Sequence, residues 1–268
     1  MADGEGPAHV LLTNDDGIDS VGFRVLYRTL GEFAEVTAVA PADDQSAVGR
    51  QLSTRVEVEP HELGYAIRGT PADCTVAGLE TLCPDVDLVV AGCNAGANLG
   101  EYVLGRSGTI SAAVEAAFFD VPAMAVSLYV PAEAGEGEED WNERASDPAD
   151  YGEAARATDH LAHHAVDAGV FESADYLNVN VPMPGDDPAP MEVTRPSSLY
   201  DMRAARNGDH VHLTDNVWAR MRTDDLPDPQ GTDRRAIVEG RISVSPLTAP
   251  HSTEGHEALD ALAETYPA

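Results

Sequence analysis

Lysine is missing altogether. All 16 basic residues of this 268-residue chain are arginine, and they stand against 47 aspartates and glutamates for a formal net charge of -31. Nucleic acid recognition needs a basic footprint that replaces phosphate counterions, so a field of this sign argues against a DNA or RNA partner. The same surface repels itself in dilute buffer and is screened in concentrated salt, where the Debye length falls to about 3 Å at 1 M. The composition therefore points to a halophilic protein working in a salt-rich cytoplasm. Long apolar runs are missing too. No stretch approaches the roughly 20 residues needed to cross a bilayer, and Met1 to His9 carries neither a basic cluster nor an apolar signal core, which leads us to expect a cytoplasmic protein without a membrane partner. Cysteine is scarce: Cys74, Cys83 and Cys93 lack the spacing of a thiolate zinc site or a disulfide scaffold and read as reduced, mostly buried thiols.

What is present, at 43% hydrophobic residues, suffices for one large domain. Short apolar runs alternate with helical spacing through the first half, which predicts an α/β fold with a mostly parallel sheet wrapped by helices. His9 to Thr13, Glu35 to Ala40, Val86 to Ala91, Ala123 to Leu128 and Tyr176 to Val181 read as strands, with further β-rich pieces at Thr54 to Val58 and Tyr65 to Ile67. Val21 to Leu30, a segment from Thr70 to about Leu82, Thr109 to Phe119 and Tyr151 to Ala168 read as helices, and Thr70-Pro71-Ala72-Asp73 has the form of a capped helix start. The division expected is a core over 1–185, containing an acidic loop insert at 131–150, and an extended β arm or hairpin over 186–268 with a final strand and a helix.

Three polar clusters follow three of these strands: Asn14-Asp15-Asp16-Gly17, the loop holding Asp43, Asp44, Gln45 and Ser46, and the glycine-rich run from Gly92 to Gly100. Ligands of open α/β sheets bind at the carboxyl ends of strands, so the three loops are expected to meet. Two adjacent carboxylates leaving a buried strand raise each other's pKa unless a cation compensates them. Carboxylate, amide and hydroxyl oxygens suit magnesium, manganese or calcium better than a metal that prefers thiolates. An Asp-Gly turn facing solvent is the structural alternative. The turn Ser107-Gly108-Thr109 opens an alanine-rich helix, where free N–H groups and the dipole favour a phosphate; Ser107 or Thr109 serving only as a cap is the alternative there. The glycines at 92, 96 and 100 match neither a Walker loop nor a dinucleotide fingerprint.

The stretches LLTNDDGIDS, APADDQSAVGRQLS, GTPADC, AGCNAGANLG and SGTISAA, in this order and spacing, resemble the SurE survival-protein family of metal-dependent 5'/3'-nucleotidases, as does AIVEGRISVSPL near the end. The resemblance implies a Rossmann-like three-layer core and a C-terminal arm shared between subunits of a homodimer or homotetramer. It implies one divalent ion per subunit, Mg2+ or Mn2+ with Ca2+ as an alternative, held by Asp15, Asp16, Ser46 and Asn94, and a phosphate near Asn14, Asn98, Ser107, Gly108 and Thr109. Departures are Ala91 for a usual serine, Arg106 where an aromatic is common, and Arg241 for a frequent tyrosine.

Together these readings predict removal of phosphate from nucleoside 5'-monophosphates, and also 3'-monophosphates, by a metal-activated water, with Asp15 and Asp16 catalytic and one of them taking the proton. An aspartyl-phosphate mechanism of the kind that uses an Asp-x-Asp motif and a lysine has neither here, and a non-catalytic nucleotide-binding module is the third reading. His163 and His164 read as solvated helix residues, Trp141 and Trp218 as packing or base-stacking residues, and Cys93 as a buried neighbour of Asn94.

Overall fold

The structure is a computed structural model that describes residues 6–131, 145–249, 251 and 265. Most of the expected acidic insert, Trp141 and the expected final helix lie outside the described residues.

The strands are β1 (His9–Thr13), β2 (Glu35–Pro41), β3 (Glu57–His61), β4 (Gly64–Arg68), β5 (Leu88–Ala95), β6 (Ala123–Tyr129), β7 (Tyr176–Pro182), β8 (Met191–Val193), β9 (Met202–Asn207), β10 (His210–Asp215) and β11 (Ile242–Leu247). Nine of them form one sheet in the order β3-β4-β2-β1-β5-β6-β7-β11-β8, while β9 and β10 pair separately as an antiparallel hairpin. The run from β4 to β7 is parallel throughout. β3 and β11 join their neighbours β4 and β7 antiparallel.

The helices are α1 (Val21–Leu30), α2 (Pro71–Ala77), α3 (Glu101–Leu104), α4 (Gly108–Phe118), α5 (Gly152–His164), α6 (Asn216–Thr223) and α7 (Asp233–Val238). β1 shows why three layers form. Its side chains alternate across the sheet, so Val10 and Leu12 join the core beneath α1 and α5 with Phe23 and Leu26, while Leu11 joins the opposite core with Ile110 and Ala113 of α4. Both faces are covered, which is what a continuous apolar run in a parallel strand demands. The Rossmann-like α/β core expected from the sequence is the observed one. Within it, α2 starts at the Thr70 cap with Asp73 closing a capping box, and then loosens into a π turn over Gly78–Leu82.

Three element boundaries differ from expectation. The strand expected over Val86 to Ala91 is β5, which runs from Leu88 on to Ala95 and takes in the start of the glycine-rich segment expected as a loop. The β-rich piece placed at Thr54 to Val58 forms three residues later, as β3; it is an edge strand, and only an edge accommodates Pro60, which has no N–H to give. The helix expected over Tyr151 to Ala168 is α5, shorter at its C-terminal end and preceded by a 3-10 turn at Pro148–Tyr151. No helix among the described residues is long and apolar enough to cross a membrane.

Strand order reverses direction between β1 and β5, since the chain builds β2 and β4 on one side and β6 and β7 on the other. The crevice at such a reversal, above the carboxyl ends of the two strands, is the natural ligand position of the fold.

Candidate active site

β1 delivers Asn14, Asp15 and Asp16 into that crevice, and a tight turn stops the strand there. Asn14 is fully buried and donates its side-chain amide to Gly17 O at 2.8 Å and to Ser20 Oγ at 2.9 Å, tying the loop to the start of α1. Gly17 takes φ of +95°, a conformation that L side chains rarely adopt.

The loop after β2 is anchored to this turn, because Gln45 donates its backbone N–H to Asp15 O at 2.7 Å. Asp44 shapes it further by accepting from both the backbone N–H and the hydroxyl of Ser46, at 2.8 and 2.6 Å. Farther along, Gly49 N donates to Arg106 O at 3.0 Å, drawing in the segment before α4. The third polar loop joins them through Ala95, whose N–H donates to Asp16, and residues of all three loops line one cavity, so they meet as expected.

Asp15 sits against the N-terminus of α4. Its Oδ2 accepts the backbone N–H of Thr109 at 3.1 Å and its Oδ1 accepts the Thr109 hydroxyl at 2.6 Å. Asp16 Oδ2 accepts the backbone N–H of Ala95 at 2.9 Å, which links it to the end of β5. Burial raises the pKa of both acids despite these donors, Asp15 to about 6 and Asp16 to about 8, the latter also pushed by the charge of Asp15. The electrostatic strain anticipated for adjacent acids is present.

A cavity of about 510 Å³ opens over the pair. Asp15, Asp16, Asp44, Ser46, Asn94, Asn98 and Ser107 line it, together with Ala47, the 95–97 turn, Val103, Arg106 and Trp218. Of the residues singled out in the sequence, Asn14, Gly108 and Thr109 do not line it: Gly108 and Thr109 stand against Asp15, and Asn14 is turned to Gly17 and Ser20. The first-turn amides of α4 are largely committed: Thr109's goes to Asp15 and Ile110's to Ser107 Oγ, which caps the helix. Ser107 therefore both caps and faces the cavity.

Asn98 is held by a buried polar network. Its N–H donates to Asn180 Oδ1 at 2.8 Å and its side chain to Ser127 Oγ at 2.9 Å, while Asn178 and Asn180 both donate to its carbonyl. Asn178 and Asn180 alternate on β7, a polar pair at strand period inside a buried run, and that pattern was the signal available in the sequence. Also missed were Asp233 and Arg234 of α7. Arg234 is 1% exposed and donates to Leu99 O at 3.1 Å and Leu199 O at 2.9 Å, and Asp233 accepts from Gly100 N at 2.6 Å. The three cysteines are free and buried, Cys93 completely so. His163 is not simply solvated: its ring packs 4.0 Å from that of Phe33.

The donor set fits a hard divalent ion. A buried carboxylate, that of Asp15, and the half-buried one of Asp16 share one cavity with amide and hydroxyl oxygens. Among the described residues no group of three or more His, Cys, Asp or Glu side chains is gathered to hold a metal. The charge and the neutral oxygens match an ion that keeps several waters, as magnesium does.

The profile of the family described as Survival protein SurE matches residues 10–202. The chain is 65% identical to 5'-nucleotidase SurE of Haloquadratum walsbyi, over 96% of each chain. It is 63% identical to 5'-nucleotidase SurE of Haloarcula marismortui, over 96% of this chain and 94% of the relative. The crystal structure of the SurE protein from Aquifex aeolicus superposes with a TM-score of 0.77 at 27% identity, covering 95% of this chain and 99% of that one. With the profile spanning more than half its length and relatives matched nearly end to end, this chain belongs to the SurE family.

Proposed function

We propose that this protein is a metal-dependent nucleotidase, hydrolysing the phosphate ester of nucleoside 5'-monophosphates, with 3'-monophosphates as further substrates. The observation that carries the reading is the convergence of buried Asp15 and half-buried Asp16 with Ser46 and Asn94 on one cavity beside the N-terminus of α4. The close relatives named 5'-nucleotidase support it.

Asp15, Asp16, Ser46 and Asn94 hold the ion, one magnesium or manganese per subunit. When bound, such an ion supplies charge neutralisation at the phosphoryl oxygens and Lewis acidity toward water. Thr109 fixes both oxygens of Asp15, so its carboxylate keeps one orientation. Asp16 has one oxygen fixed by Ala95, which makes its other oxygen the better acceptor for the proton of the attacking water. Ser107, at the positive end of α4, and Asn98, braced by Asn178 and Asn180, position the phosphate. Clamping of Asp15 by Thr109 argues against its use as a covalent nucleophile.

The hairpin β9–β10 supports subunit association: Val211 and Leu213, 59% and 71% exposed, stand on one face of β10. We take it to mediate a homodimer or homotetramer.

Phosphate release from AMP is the deciding test. The reading requires turnover with Mg2+ or Mn2+, none after EDTA, and none in Asp15→Asn. Turnover unchanged by EDTA, or a phosphorylated protein trapped on acid quench, would refute it.

A further inference from the structure

We propose that Arg106 and Trp218 form the nucleobase end of the cavity, and that Tyr102 is the positioning residue that holds both. This rests on the nucleotidase reading and specifies the part of the substrate which that reading leaves unplaced.

Ester hydrolysis uses only the polar end of the cavity. The rest of its lining includes Val103, Arg106 and Trp218, which have no task at a phosphate held by Ser107 and Asn98. A volume of about 510 Å³ is ample for a whole mononucleotide. A flat heteroaromatic ring is what an indole and a guanidinium plane bind together, the first by stacking and the second by stacking and hydrogen bonding.

The two walls come from distant parts of the chain, and one side chain couples them. The Arg106 guanidinium lies 5.1 Å from the centroid of the Tyr102 ring, and buried Arg234 lies 5.2 Å from the same ring. The Tyr102 hydroxyl donates to Asp215 Oδ2. Asp215 caps α6 by accepting from Val217 N at 3.0 Å, and Trp218 is the next residue of that helix. Tyr102 therefore has a guanidinium on its ring and the cap of the tryptophan's helix on its hydroxyl. Arg106 is also the only cation among the described residues that line the cavity, where Asp15, Asp16 and Asp44 supply the acids. Held on the Tyr102 ring, its charge favours the electron-rich edge of a purine.

The test separates base from phosphate. Kinetics with the Mg2+-loaded enzyme compare AMP with ribose 5-phosphate, which shares the ester and lacks the base. Trp218→Leu and Arg106→Ala are expected to raise KM for AMP about tenfold, the scale of one lost base stack, and to leave kcat/KM for ribose 5-phosphate within about twofold. Tyr102→Phe keeps the ring and loses the Asp215 bond, so it raises KM for AMP with kcat unchanged. An equal loss on both substrates assigns these residues to the phosphate or to folding and overturns the proposal. Fluorescence gives a readout free of turnover. In a Trp141→Phe background, which leaves Trp218 as the sole indole, adenosine quenches the emission and inorganic phosphate does not; no quenching by adenosine overturns the proposal. Absence of all hydrolysis would sink the nucleotidase reading, and the adenosine titration would still decide whether a base binds here.

Discussion

Gly108 leaves Asp15 no room to move. A Cβ added at Gly108 would lie 2.8 Å from Asp15 Cβ and 2.9 Å from its Oδ2, with Pro71 Cγ at 3.1 Å. Helix α4 can approach the carboxylate this closely only because its first residue has no side chain. Gly108→Ala is expected to push Asp15 off its Thr109 donors and to lower kcat/KM by about 10- to 100-fold, the usual cost of disturbing an outer-shell partner of a metal ligand. Far-ultraviolet circular dichroism should show the fold retained, and isothermal titration with Mn2+ should show the weakened site.

Thr109→Val tests the other side of the same contact. Valine keeps the volume and the amide donor but removes the hydroxyl that reaches Asp15 Oδ1. Loss of a donor to a buried charged acceptor costs about 1–3 kcal/mol. We expect the metal-loaded protein to melt a few degrees lower and Mn2+ affinity to fall, while Thr109→Ser restores most of both. Equal behaviour of the valine and serine variants would show that the hydroxyl does not orient the carboxylate.

Much of this geometry was legible beforehand. Short apolar runs marked β1, β2, β5, β6 and β7, because a strand buried on both faces is largely apolar throughout, and the polar clusters that follow β1, β2 and β5 pointed to the crevice. Asp15 and Asp16 stood out as adjacent acids at a strand end, while Ser46 and Asn94 came to the metal only through the family resemblance. Thr109 was read as a cap or phosphate contact, and nothing in local sequence reveals that its hydroxyl turns to an aspartate 94 residues earlier. The contributions of Asp233 and Arg234 were hidden for the same reason: each acts through a partner brought near only by tertiary folding.

Removing the metal should expose the strain between Asp15 and Asp16. Both have folded-state pKa values above the unfolded aspartate value of about 4. Their contribution to stability is therefore complete below that pH and is lost as pH rises through about 6 and about 8. In EDTA, the melting temperature should fall across this window, and Mg2+ should restore it most at the alkaline end. Asp16→Asn should flatten the fall and abolish the rescue. A metal-free protein equally stable at pH 5 and pH 8 would contradict this account.

The surface makes a separate prediction. A chain with a net charge of -31 and no lysine repels itself until salt screens it. The melting temperature should climb between 0.1 M and multimolar KCl, and activity on AMP should climb with it. A melting temperature indifferent to KCl would remove the case for a salt-rich working environment.

The guanidinium of Arg234 grips a carbonyl 135 residues earlier in the chain, and its neighbour Asp233 steadies the amide of Gly100 beside it. A nascent chain leaving the ribosome would carry both aspartates and the glycine-rich loop long before the side chain that sets that loop was made. On this account the loop takes its final set only late in synthesis, once α7 has been made.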